Sequence, residues 1–274
     1  MDLLQYTFFQ HALLGSLLAS IMCGLLGTYI VTRRIVFISG GLTHASFGGV
    51  GLGLYFGVPP LLTASLFSLL SALGIQHLSS RSLMRQDSAI AVFWTLGMAL
   101  GIILTFLSDG YAQDLSTYLF GNILTINSSD LILMGVLTTL AVLFFAIFLR
   151  QIILIAFDRD FALSRGIKVT LMEHLLMGLI ALAIVSTLRM VGIVLVLSLL
   201  TVPQMTAALY TDRFRSIIIL SQASGFLCCL LGLMVSYFYN IPSGATIICC
   251  TIILYLLCRL ERWMTRKALK AVAN

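Results

Sequence analysis

His44, inside SGGLTHASFGG (Ser39–Gly49), is the side chain whose type and setting most suggest chemistry. From Ile35 to Ser80 the chain has no Asp, Glu, Lys or Arg. An imidazole in so apolar a run can fasten helices through a hydrogen bond, contact a transition-metal ion, or pass a proton. The hydroxyls of Thr43 and Ser39 stand beside it as candidate supporting oxygens. A proton relay needs several ionisable groups in series, and no Asp or Glu lies within any apolar span. The same absence weighs against coupling to protons or sodium, which commonly uses intramembrane carboxylates. ATP hydrolysis by this chain is also excluded in its commonest form: the lysines are Lys168, Lys267 and Lys270, and none completes G-x-x-x-x-G-K-[ST]. Any pumping is therefore driven by a separate polypeptide. A serine hydrolase using Ser39 or Ser46 with His44 or His174 needs nucleophile and base within hydrogen-bond reach. His174 falls at a span boundary, poorly placed for that role, and His11 and His77 also fall toward span ends.

The residues around His44 point to a closely packed helix. Gly41, Ala45, Gly49 and Gly53 form an i, i+4 strip, and Gly40 and Gly48 flank His44 on its own face. Small residues at this spacing let helix backbones approach. A helix starting near Ile35 puts His44 about 14 Å along it, near the middle of a hydrocarbon core about 30 Å thick. His44 is expected to project into a cavity between helices or between subunits.

Composition defines what surrounds that helix. Hydrophobic residues make up 60% of the 274 and charged residues 9%, against about 25% charged in soluble domains. The expectation is an all-α, polytopic membrane protein, a single transmembrane domain over residues 1–274. Breaks leave nine apolar segments, at 11–32, 36–56, 60–80, 88–108, 131–149, 174–189, 190–210, 216–238 and 245–258. They predict eight or nine transmembrane helices, one or two of them broken or re-entrant. Threaded alternately from an outside N-terminus, they place 15 of the 16 basic residues on one side, with Arg189 alone opposite. That bias marks the basic side as cytoplasmic, C-terminal tail included. The net charge of +6 then reflects lipid headgroups, not nucleic acid. Trp263 in the tail is expected at the interface. Met1–Asp2 lacks a basic n-region, and no removable signal peptide is expected. All six cysteines lie in apolar spans without C-x-x-C spacing and are expected to be small buried residues, with a soft-metal contact at Cys228–Cys229 and Cys249–Cys250 as the alternative.

Two connections carry further signals. The segment Asp109–Asp130 has three carboxylates and no basic residue, suiting an outer loop that gathers cations or is simply solvated. On the basic side, within a segment at about 155–168, Phe157–Gly166 predicts a short helix with Asp158 and Asp160 near its start, Arg165 near its end and Gly166 closing it. Phe157, Phe161 and Ser164 share one face. Such a helix either rests in solvent or docks in a partner's groove.

Taken in order along the chain, these features resemble the integral-membrane permeases of bacterial zinc/manganese ABC importers. RRIVFISGGLTHASFGGVGLG (Arg33–Gly53) is similar to a basic pair followed by a Leu-Ser/Thr-His-Ala segment and glycine. Ser116–Leu124 resembles a Tyr-Leu-Phe-Gly-x-Ile-Leu stretch, and Phe157–Gly166 a Phe-Asp…Ala-x-x-x-Gly segment. Gly192–Val196 with Pro203 and Ala207 is similar to a long Gly…Pro…Ala helix, and Pro242-Ser243-Gly244 to the Pro-x-Gly opening the last span. The resemblance implies a permease subunit in the bacterial cytoplasmic (inner) membrane, a homodimer or pseudo-dimer with its pathway on the two-fold axis. It further implies a cytoplasmic ATPase dimer docked through Phe157, Asp158, Asp160, Ala162 and Gly166, and an extracytoplasmic metal-binding protein. The cargo implied is a divalent ion, zinc or manganese, with iron or a metal chelate as alternatives, and His44 carries over as its contact. The chain departs from the family pattern at Gly40 and Asn240, where acids are common, and at Gly48, where proline is common.

Overall fold

The computed structural model describes residues 6–80, 84–108 and 126–273, which are helical nearly throughout, with no strand among them. In chain order the helices are α1 (Thr7–Thr32), α2 (Phe37–Phe56), α3 (Pro60–Ser80), α4 (Gln86–Leu107), α5 (Ser128–Phe157), α6 (Arg159–Ser164), α7 (Val169–Val191), α8 (Ile193–Leu199), α9 (Val202–Ala208), α10 (Phe214–Tyr239) and α11 (Ser243–Ala273). Each of the nine predicted apolar segments falls on helix. Among the described residues, seven helices are long and apolar enough to cross a membrane: α1, α3, α4, α5, α7, α10 and α11. With 20 residues, α2 has the length of a crossing, and α8 with α9 forms a broken ninth segment. The expected acidic loop, apart from Ile126 to Asp130, and the Ser116–Leu124 stretch lie outside the described residues. Asp130 closes a capping box with Asn127 at the start of α5.

Side-chain burial sorts the helices into centre and rim. Most of α1 and α7 is buried, whereas α4, α5 and α11 expose most of their apolar surface. Tyr29, Met22, Leu26 and Ile30 of α1 are almost fully enclosed. Exposed leucines and isoleucines on rim helices are what a lipid environment permits. Between helices in lipid, association comes from close packing and hydrogen bonding. Hydroxyls that would otherwise lack water, such as Ser16, Ser20 and Thr28 of α1, donate to carbonyls one turn back.

Three boundaries differ from expectation. Helix α5 continues to Phe157, taking Arg150 into its last turns, so the connection to α7 is shorter than predicted. The basic tail continues α11 through Ala273 instead of forming a separate segment. At its side, Tyr210 donates to the Glu261 carboxylate (2.5 Å) and Arg262 Nε to Leu209 O (2.7 Å), fastening the end of α9 to α11.

The third difference is the expected long helix after Gly192, which is interrupted. Gly192 itself has φ +79°, favouring glycine, and separates α7 from α8. Pro203 then lacks an N–H for Leu199 O and its ring clashes one turn back, so the helix breaks between α8 and α9. The Gln204 amide restores the balance: its Nε2 donates to Leu199 O (3.0 Å) and across to Cys23 O of α1 (2.8 Å).

Candidate functional site

Helix α2 is gripped from two sides, and glycine is why. A Cβ on Gly41 would lie 2.3 Å from Ile90 Cγ2 of α4, and one on Gly49 would lie 2.4 Å from Thr63 O of α3. The approach to α4 is mutual: a Cβ on Gly97 would lie 2.5 Å from Ala45 Cα, and one on Gly101 would lie 2.6 Å from Phe47 O. Gly97-x-x-x-Gly101 is thus the counterpart of the strip on α2, and its spacing is legible in the chain. Gly48 faces Phe67 and Gly97 Cα, at 2.9 and 3.1 Å. Gly40 differs, since a Cβ there would meet Leu197 and Trp94 at ordinary contact distances of 3.5 and 3.6 Å.

His44 emerges seven residues after Phe37, about 10 Å along a helix about 30 Å long, one third of the way from the basic end and less deep than a start at Ile35 suggested. Its ring lies parallel on Trp94 of α4, with centroids 4.6 Å apart and planes 8° apart. Stacking fixes the plane of an imidazole and leaves its nitrogens at the ring edge. Nδ1 is buried without a hydrogen-bond partner. A recess of about 210 Å³, lined by Val36, Phe37, Gly40, Trp94, Leu197 and Thr201, opens beside this pair. Trp94, one of two tryptophans, sits inside an apolar span and not at a span end. That placement was the available signal for it.

Neither predicted supporting group lines the recess. Thr43 and Ser39 are fully buried, and each hydroxyl donates to a carbonyl of its own segment, Ser39 O and Val36 O respectively. The Ser46 hydroxyl donates to Thr43 O (2.6 Å), and His174 pairs with Thr170 O on α7. Among the described residues no serine hydroxyl pairs with a histidine ring. His11 ties α1 to Ile126 O at 3.1 Å. Cys23, Cys228 and Cys229 are buried as expected, Cys250 and Cys258 are half-buried, and Cys249 is exposed. Among the described residues no group of three His, Cys, Asp or Glu side chains could hold a metal ion together.

At the basic end, the predicted short helix is α6. Asp158 caps it, accepting from Phe161 N at 2.9 Å, and Gly166 ends the turn at φ +74°. Ala162 is buried, Asp160 and Gly166 are exposed, and Phe157 and Phe161 are 62% and 43% exposed. Two aromatic rings, Phe157 at the end of α5 and Phe161 in α6, are thereby presented outward, while α6 itself buries only Ala162. A buried carboxylate behind it, Glu173, was visible in the chain only as a charge at a span edge.

A glycine-packed bundle of membrane-length helices around the His44–Trp94 pair defines a multi-pass membrane protein. A model of the ABC 3 transport family matches residues 5–261. An uncharacterized membrane protein of Synechocystis sp. is 41% identical over 254 residues, 93% of this chain and 90% of that one. The manganese transport system membrane protein MntC of Listeria monocytogenes is 32% identical over 253 residues, 92% of this chain and 90% of that one. Among solved structures, PsaBC from Streptococcus pneumoniae in complex with Fab is similar with a TM-score of 0.83 at 30% identity, covering 94% of this chain and 92% of that chain. The chain belongs to the ABC 3 transport family. It is a transport subunit and not an enzyme.

Proposed function

We propose that this chain is the membrane permease of an ABC importer for a divalent transition-metal ion, manganese or zinc. The observation that carries the reading is His44, held flat on Trp94 with a buried, unpartnered ring nitrogen beside a recess. Its similarity to the manganese transport protein MntC supports manganese as the first cargo to test. Neutral imidazole suits either ion. One imidazole from each of two copies facing a two-fold axis would give a ligand-poor site, and weak holding favours passage over storage. Helix α6 with the preceding end of α5 is the docking segment for a cytoplasmic ATPase dimer, the exposed Phe157 and Phe161 filling a groove in that partner. An extracytoplasmic metal-binding protein delivers the ion, and the basic end with the C-terminus of α11 lies in the cytoplasm of a bacterial cell whose inner membrane the bundle crosses.

The decisive experiment is reconstitution with the ATPase and binding protein in liposomes, offering manganese, zinc and iron in turn. The His44→Ala permease is expected to assemble with both partners and to carry no metal. Uptake at the parental rate by that variant would remove His44 from the pathway.

A further inference from the structure

Glu173 of α7 has a side chain only 3% exposed, and it gathers partners from three other elements. Arg33, at the end of α1, places Nη2 3.1 Å from Oε1, and Arg159 of α6 places Nε 3.2 Å from the same oxygen. Gln76 of α3 donates from Nε2 to Oε2 at 2.9 Å. Arg33 also donates from Nη1 to Ile155 O in the last turn of α5 (3.3 Å). A carboxylate withdrawn from water is tolerable only while cationic and amide donors stay with it. The pairing therefore resists separation when the elements move.

What Glu173 and its three partners join is specific. Within α6 only Ala162 is buried, so the ion pair of Arg159 with Glu173 is the main polar tie between that helix and the bundle. Arg33 is the last residue before a tight turn into α2: Ile35 N donates to Ile30 O at 3.0 Å, and Arg34 holds φ +59°. Helix α2 begins at Phe37 and carries His44 two turns later.

We infer that Arg159, Glu173 and Arg33 form a joint that passes displacement of α6 to α2, and so to the ion contact at His44. The inference rests on α6 being the ATPase dock. These are positioning residues: none touches the ion, and their loss uncouples hydrolysis from transport without removing either.

The test uses the full permease–ATPase–binding-protein complex in liposomes, counting manganese ions moved per ATP hydrolysed. Glu173→Gln keeps the shape and a bond to Gln76 but loses the charge. Arg159→Ala, at a half-exposed side chain, serves where Glu173→Gln fails to fold. Both are expected to retain the ATPase on purification and to lower ions moved per ATP by about fivefold or more. Arg159 binds through a single Nε contact, so Arg159→Lys is expected to restore most of the yield. Arg159→Ala added to Glu173→Gln is expected to cost little further, because the pair acts as a unit. A parental yield per ATP in Arg159→Ala overturns the joint, and so does loss of the ATPase from that complex, which would make Arg159 a docking group. The docking reading is checked apart: a Phe161→Asp complex that still holds its ATPase rejects α6 as the dock.

Discussion

In the proposed pathway, His44 and the residue at position 40 set how firmly an ion is held. They lie one helical turn apart, and a side chain at position 40 would reach toward Trp94 and Leu197 without collision. Gly40→Asp is therefore expected to fold and to set a carboxylate beside the imidazole. An added anionic ligand should lower KM for manganese about tenfold, equivalent to about 1.4 kcal/mol, with slower turnover because release becomes harder. Transport kinetics in liposomes check this, and an unchanged KM would show that position 40 does not face the ion. Trp94 acts on the same atom by another route. Trp94→Phe keeps an aromatic platform and should preserve uptake, whereas Trp94→Ala frees the ring and should raise KM.

Helices α2 and α4 meet with almost no side chain between them, and that contact is what holds His44 against Trp94. Gly97→Val would drive a branched side chain into Ala45 Cα, 2.5 Å from where its Cβ must lie. Overpacking of this kind costs about 1–3 kcal/mol and should lower the unfolding midpoint in detergent by several degrees. Transport should fall with it, since α4 must shift away from α2. Gly135 has no atom within 4 Å of an added Cβ, so Gly135→Ala is the control expected to change neither. The broken pair α8–α9 works differently: Pro203 makes the break and Gln204 supplies the missing donor to Leu199 O. A Gln204→Leu variant leaves Leu199 O and Cys23 O without that amide and should destabilise by about 1–3 kcal/mol, seen as earlier unfolding.

Across the bundle, charge is segregated: Arg33 and Arg34, Arg159 and Arg165, Arg213 and Arg215, and Arg259 to Lys267 all gather at one end. The positive-inside rule supports the proposal that this end faces the cytoplasm. A fluorescent reporter fused after Asn274 should mature and glow, while a periplasmic reporter at the same position should stay inactive. The reverse pattern would invert the topology and take α6 out of reach of any ATPase.

Much of this was open to inspection before any coordinates. Apolar runs and the sidedness of arginine follow from how single residues partition between lipid and water, a property that needs no neighbour. His44 was conspicuous for the same reason, and the glycines around it announced close packing. Asp158 and Gly166 bounded α6 by local capping alone. Pairings between distant residues were another matter. Nothing in the chain joins His44 to Trp94, Arg33 to Glu173 across 140 positions, or Gln204 to Cys23 across 181. Those contacts exist only once helices are laid side by side, because a hydrogen bond or a ring stack depends on two groups arriving at one place, and helix packing alone sets where they arrive.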